Sequence, residues 1–153
     1  MNFGLAAALP VLIPKAIAWA EQRASEIRFA GDALTEQELA AARLVGVTNP
    51  EKIRLSFVSH LPLPNDPVLR QAALHTGLLG SNMVGLTLGH GIYICHGNNS
   101  LSLLSHEFRH VHQYEQAGSI AAYLPLYLQQ IVQFGYANAP YEVDARAHEA
   151  AAY

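Results

Sequence analysis

The chain is short of cysteine, of charge and of tryptophan, and each shortage removes a class of explanation. One cysteine in 153 residues excludes an intrachain disulfide framework and a cysteine-built zinc finger. That thiol, Cys95, follows a strand-like run and reads as a small buried residue. Charged side chains make up 14% of the sequence, 9 Lys and Arg against 12 Asp and Glu. Such a balance carries no basic footprint, so nucleic acid is not an expected partner. Repeats and low-complexity tracts are lacking too, which leaves one domain with 51% hydrophobic residues to fill its core.

A long unbroken hydrophobic run is also missing. Phe3 to Ala20 is mostly apolar, but Lys15 and two prolines interrupt it and its length barely matches a bilayer. The expectation is no transmembrane span. Residues 1–30 should instead form an apolar helical segment, helical from about Pro14 to Ile27, packed on a domain made of residues 31–153. The very apolar start suits contact with a second copy or another partner. Ala18-Trp19-Ala20 has the small-x-small form of a cleavage site, yet no Lys or Arg stands before the apolar stretch. A soluble, cytoplasmic protein is therefore expected over an exported one.

What the sequence does contain is His106-Glu107-Phe108-Arg109-His110. On a helix, a four-residue step puts both imidazoles on one face, where two nitrogens can hold one zinc ion. Glu107 points about 100° around the axis, beside the metal, where it can take a proton from an activated water. With this His and Glu content a chance H-E-x-x-H has odds of roughly one in fifty, so context decides. Asn99 or Ser100 can cap a helix of about 17 residues that Gly118 stops. Val84 to Cys95 reads as a hairpin turning at Gly89-His90-Gly91. Downstream, Pro140 suits a first helical position and Glu142 falls in that helix's first turn. Two histidines and a carboxylate from a second helix give a His₂Glu site with a fourth position open.

The run Gly-Leu-Thr-Leu-Gly, Ile-Tyr-Ile, Leu-Leu-Ser-His-Glu-Phe-Arg-His-Val-His-Gln-Tyr and Ala-Pro-Tyr-Glu-Val-Asp-Ala resembles the small zincins of the gluzincin type, especially the DUF4157-like metallopeptidase domains. The resemblance covers roughly Leu34 to His148. It implies an α+β, zincin-like fold with a small mixed or antiparallel sheet, an edge strand beside the motif helix and further helices after it. It also implies His106 and His110 as zinc ligands, Glu107 as general base and Glu142 as third ligand. Asp144, His148 and Glu149 lie near enough to compete with Glu142, and Arg146 stands where many gluzincins carry Asp.

Other residues take roles around that centre. Ile92-Tyr93-Ile94 is the candidate edge strand for pairing with an extended peptide. Tyr141 is the candidate hydroxyl donor to an oxyanion, with Tyr136 and the helical tyrosines Tyr123 and Tyr127 as further choices. Asp144 suits an acceptor for a ligand imidazole. His90, His96, His112 and Arg109 read as turn, surface or ion-paired residues, and Tyr114 as a neighbour of the site. Elsewhere, Thr35 with Glu38 forms a capping box for a helix stopped by Gly46. Ile53 to Ser59 alternates as a strand. Asp66 and Pro67 open a short helix after a proline-rich loop, and Ser119 opens a helix from Ile120 to Phe134 that Pro125 should kink. The expected function is zinc-dependent peptide hydrolysis. A non-peptidase amide hydrolase and a catalytically silent module of the same fold are the other two classes.

Overall fold

The computed structural model describes residues 3–80 and 82–149. Residues 1 and 2 of the expected N-terminal segment, Ser81 in the Gly77 to Gly85 connection and residues 150–153 at the end of the expected domain lie outside the described residues.

Among the described residues, six α-helices and four strands make an α+β fold. The elements run α1 (Phe3–Ala30), β1 (Asp32–Ala33), α2 (Glu36–Leu44), β2 (Arg54–Val58), α3 (Pro67–His75), β3 (Gly85–Leu88), β4 (Gly91–Cys95), α4 (Leu101–Ala117), α5 (Ile120–Phe134) and α6 (Pro140–Ala147). The short-range signals account for most boundaries. Thr35 and Glu38 form the reciprocal capping box of α2, Asp66 accepts from the amides of Val68 and Leu69 at the start of α3, and Ser119 accepts from Ala122 at the start of α5. Two findings go beyond those signals. α1 begins at Phe3, not near Pro14, and continues through Pro10 and Pro14, just as α5 continues through Pro125. Each interior proline forfeits a backbone bond, and burial of the inner stripe Leu12, Ala16, Ala20 and Ile27 offsets that loss in α1. By length and composition α1 is also apolar enough to cross a membrane.

The sheet has the order β1-β2-β4-β3. β2 and β4 are parallel, with Leu55 opposite Ile92 and Phe57 opposite Ile94, while β3 and β4 form the expected antiparallel hairpin with Leu86 opposite Tyr93. Strand alternation sorts the side chains to two faces. Ile92 and Ile94 join Leu55, Phe108, Val111 and Ala42 in one core cluster. Tyr93 and Leu88 face the other, with α1, Tyr114, Tyr123 and Ile131. α4 is thus clamped between α2 and the sheet on one side and α5 on the other. Glu115 fixes its far end by accepting from the amides of Thr48 (2.7 Å) and Asn49 (3.0 Å), with His90 Nε2 at 3.0 Å.

Candidate metal centre

The motif helix is α4. Ser100 Oγ accepts from the Leu103 amide, and Gly118 at φ 101° closes the other end, a left-handed position that glycine adopts without strain. Its apolar stripe, Leu104, Phe108 and Val111, is fully buried against the α2 side. That burial turns His106 and His110 towards α6, where their ring centroids lie 5.0 Å apart. Pro140 starts α6 and places Glu142 in its first turn, 2% exposed between the two imidazoles.

The three side chains share one small volume. His106 Nε2 is 3.1 Å from Glu142 Oε1 and His110 Nε2 is 3.1 Å from Glu142 Oε2. Both imidazoles have their Nδ1 occupied: that of His106 faces Glu149 Oε2 at 2.8 Å and that of His110 faces Gln113 Oε1 at 2.8 Å. An Nδ1–H donated to those acceptors leaves each Nε2 lone pair directed at the shared volume. Among the described residues, these three form the group of His, Cys, Asp and Glu side chains whose donor atoms lie within 4.8 Å of one another. Ligands about 2.0–2.1 Å from a tetrahedral ion lie roughly 3.3 Å from each other, so the spacing suits a single ion. The buried triad could hold a metal ion.

The electrostatics agree. Burial pulls the His106 pKa down, but its hydrogen bond to Glu142 and the charges of Glu107 and Glu142 outweigh that and raise it to about 9. His110 is raised in the same way. For Glu142, burial pushes upward, yet hydrogen bonds from both histidines and from Tyr127 hold it well below the usual carboxylate range. Both upward shifts come from the carboxylates that face the imidazoles, and a cation would compete with protons for the same nitrogen atoms.

Glu107 lies on the opposite flank, against β3. Its Oε1 accepts from Thr87 Oγ1 at 2.8 Å, and its Oε2 stands so close to Gly85 that a Cβ there would meet it at 2.9 Å. Glu107, His110 and Glu142 line one cleft with Thr87, Tyr127 and Tyr136. Tyr127 donates to Glu142 Oε2 at 2.7 Å, and burial together with the charge of Glu142 pushes the Tyr136 phenol up.

The structure brings together His106, Glu107, His110 and Glu142, and it corrects three other expectations. Ile92-Tyr93-Ile94 belongs to β4, which runs between β2 and β3 and is wholly buried; the edge strand beside α4 is β3. Asp144 does not touch a ligand imidazole. Its carboxylate binds Arg109 Nε at 2.8 Å and Gln113 Nε2 at 2.9 Å, so it reaches His110 only through Gln113. Tyr141 stacks on Tyr123 with centroids 4.8 Å apart and is not on the cleft wall, whereas Tyr136 is. Of the competing ligands, Glu149 supports His106 from behind, and His148 binds the Asp144 carbonyl. His90 pairs with Glu115, His96 is exposed in the turn after β4, and His112 binds the Gly46 carbonyl at 2.9 Å. Gln113 and Glu149 are the supporting residues that motif reading passes over. Gln113 sits one turn beyond His110 on the same helix face, and Glu149 two turns beyond Glu142, spacings that signal proximity.

Fold and site together define an α+β domain with a buried His₂Glu group fit for a cation. No protein-family model, curated protein or solved structure matches the chain.

Proposed function

We propose that the protein is a zinc-dependent amide hydrolase of the zincin type, acting on peptide bonds. The observation that carries this reading is the convergence of two Nε2 atoms on the two oxygens of Glu142, each at 3.1 Å, with Glu107 on the adjacent cleft wall. A His₂Glu donor set with both imidazoles backed by acceptors is the usual composition of a catalytic zinc site with one position left for water or substrate. When bound, zinc lowers the pKa of a water towards about 7 and polarises a substrate carbonyl.

The chain's own residues then divide the work. Thr87 and Gly85 hold the Glu107 carboxylate at the cleft, where it accepts the proton of the attacking water and returns it to the leaving amine. β3, at the sheet's edge, offers main-chain groups to an extended substrate. Tyr136 presents a hydroxyl on the same wall, suited to an oxyanion. The test compares Glu107→Gln with His110→Ala. The first is expected to keep zinc while peptide cleavage falls at least a hundredfold; the second should lose most zinc affinity. Zinc-saturated wild-type protein that cleaves no member of a broad peptide library would defeat the proposal.

A further inference from the structure

The cleft that contains Glu107, His110 and Glu142 extends far beyond them. Its lining is predominantly apolar and its mouth opens to solvent. One long wall is the inner stripe of α1, from Leu5 through Leu9, Leu12 and Ala16 to Ala20. At 1.5 Å per residue that stripe runs roughly 22 Å. α3 and α5 supply the other walls through side chains such as Leu69, Ala72, Leu128 and Ile131.

Two features restrict what can lie there. Apart from tyrosines, the ionisable side chains on the described wall are Glu107, His110 and Glu142, all at the metal end. Five wall hydroxyls are already engaged, Thr76 with Ala72 O, Thr87 with Glu107, Tyr114 with Thr87 O, Tyr123 with Gln113 and Tyr127 with Glu142, while the Trp19 indole N–H is buried without a partner. Helical walls have spent most of their backbone groups internally, apart from the carbonyls that Pro10, Pro14 and Pro125 leave without an amide donor. A polypeptide laid along α1 would leave most of its buried amide groups without partners, which is unfavourable. Among the described residues, the edge strand that can serve a peptide backbone is β3, four residues long. A hydrocarbon chain needs no partner at all.

We propose that the cleft takes an unbranched, uncharged alkyl chain, so that the substrate is a peptide with a long-chain acyl group on its terminal amine, the acyl amide at the triad and the peptide portion along β3. A lipid acyl chain spans about 15 Å, half of a bilayer's hydrocarbon core, and fits within the length of the α1 stripe. Hydrolysis breaks the C–N bond: the acyl carbon takes the water oxygen and leaves as a carboxylic acid, and the nitrogen takes the proton that Glu107 carries. The inference rests on the amide-hydrolase reading of the triad, but chain binding does not need the metal.

The test uses the full chain, metal-free, with Trp19 as reporter, since it is the single tryptophan and lines the cleft. Neutral N-acyl glycinamides from butanoyl to hexadecanoyl are titrated below micelle formation. Affinity is expected to rise about fourfold per added CH₂, with saturable change in Trp19 emission. Ala16→Phe, which narrows the slot, should weaken the longest probes far more than the butanoyl one; Ala72→Leu serves if the first variant does not fold. Affinity that does not depend on chain length, or tighter binding of apolar tripeptide amides than of acyl probes of equal mass, overturns the proposal. Zinc uptake and peptide cleavage with a flat chain-length series would remove this inference alone. Length-dependent binding without zinc uptake would remove the metal reading alone.

Discussion

Gln113 is the residue on which the metal centre turns. Its amide oxygen faces His110 Nδ1 at 2.8 Å while its nitrogen donates to Tyr141 O and Asp144 Oδ2, both at 2.9 Å. One side chain therefore sets the tautomer of His110 and ties α4 to α6. Gln113→Leu, close in volume but without the amide, is expected to lower zinc affinity by about 10–100-fold and stability by about 1–3 kcal/mol. Chelator competition and urea unfolding check the two numbers, and unchanged zinc affinity would show that His110 orients itself. Protonation is the second consequence at this scale. In metal-free protein His106 titrates near 9 against 6.5 for an ordinary imidazole, so its contribution to stability is complete below 6.5 and lost as pH rises through about 9. Glu142, held below its ordinary 4.5, contributes above 4.5 and loses that contribution as pH falls. Metal-free protein should thus resist urea best between 4.5 and 6.5. Zinc binding at pH 7.5 should release about one proton or more, measured as the buffer dependence of the binding heat; no release would mean that the imidazoles are already neutral. The triad was legible in the sequence because i, i+4 spacing and a proline-started helix are local signals. Asp144 was misassigned because chain proximity to Glu142 says nothing about which side of α6 it faces; Arg109 and Gln113 claim it.

At the scale of elements, β3 is the part that the sequence concealed. Gly85-Leu-Thr-Leu88 and Gly91-Ile-Tyr-Ile-Cys95 both read as strands, and strand order depends on which of them finds β2, whose Arg54 pairs with Gly91 across 37 residues of chain. The five consecutive buried residues of β4 were the available clue, since a run apolar on both faces belongs inside a sheet. Consequently the residue beside Glu107, the proposed base, is Gly85. Gly85→Ala puts a Cβ 2.9 Å from Glu107 Oε2 and is expected to cut turnover about tenfold or more, with zinc occupancy unchanged. Equal losses of zinc and turnover would place the damage in the triad instead. The helices were easier to read because their caps are short-range. α1 was the exception: its prolines argue for a break, and only packing against α5 and the sheet makes one helix of it.

For the whole molecule, the ion would act as a brace between α4 and α6. An ion bound only by the folded state raises stability by about 4 kcal/mol at a thousand times its Kd. Removing it with a chelator should lower the melting temperature by several degrees and speed amide hydrogen exchange first in α6, which holds Glu142 and whose N-cap residue Ala139 offers no side-chain bond. Exchange that quickens uniformly would mean α6 is held by its apolar contacts alone. The parallel pairing of β2 with β4 also sets a schedule for synthesis. Among the described residues, Arg54–Val58 emerges from the ribosome with the two-residue β1 as its one strand partner, and its second strand partner is complete only at Cys95. During that interval β2 presents an unpaired edge, and the nascent chain is at its most vulnerable to self-association before the hairpin slots in beside it.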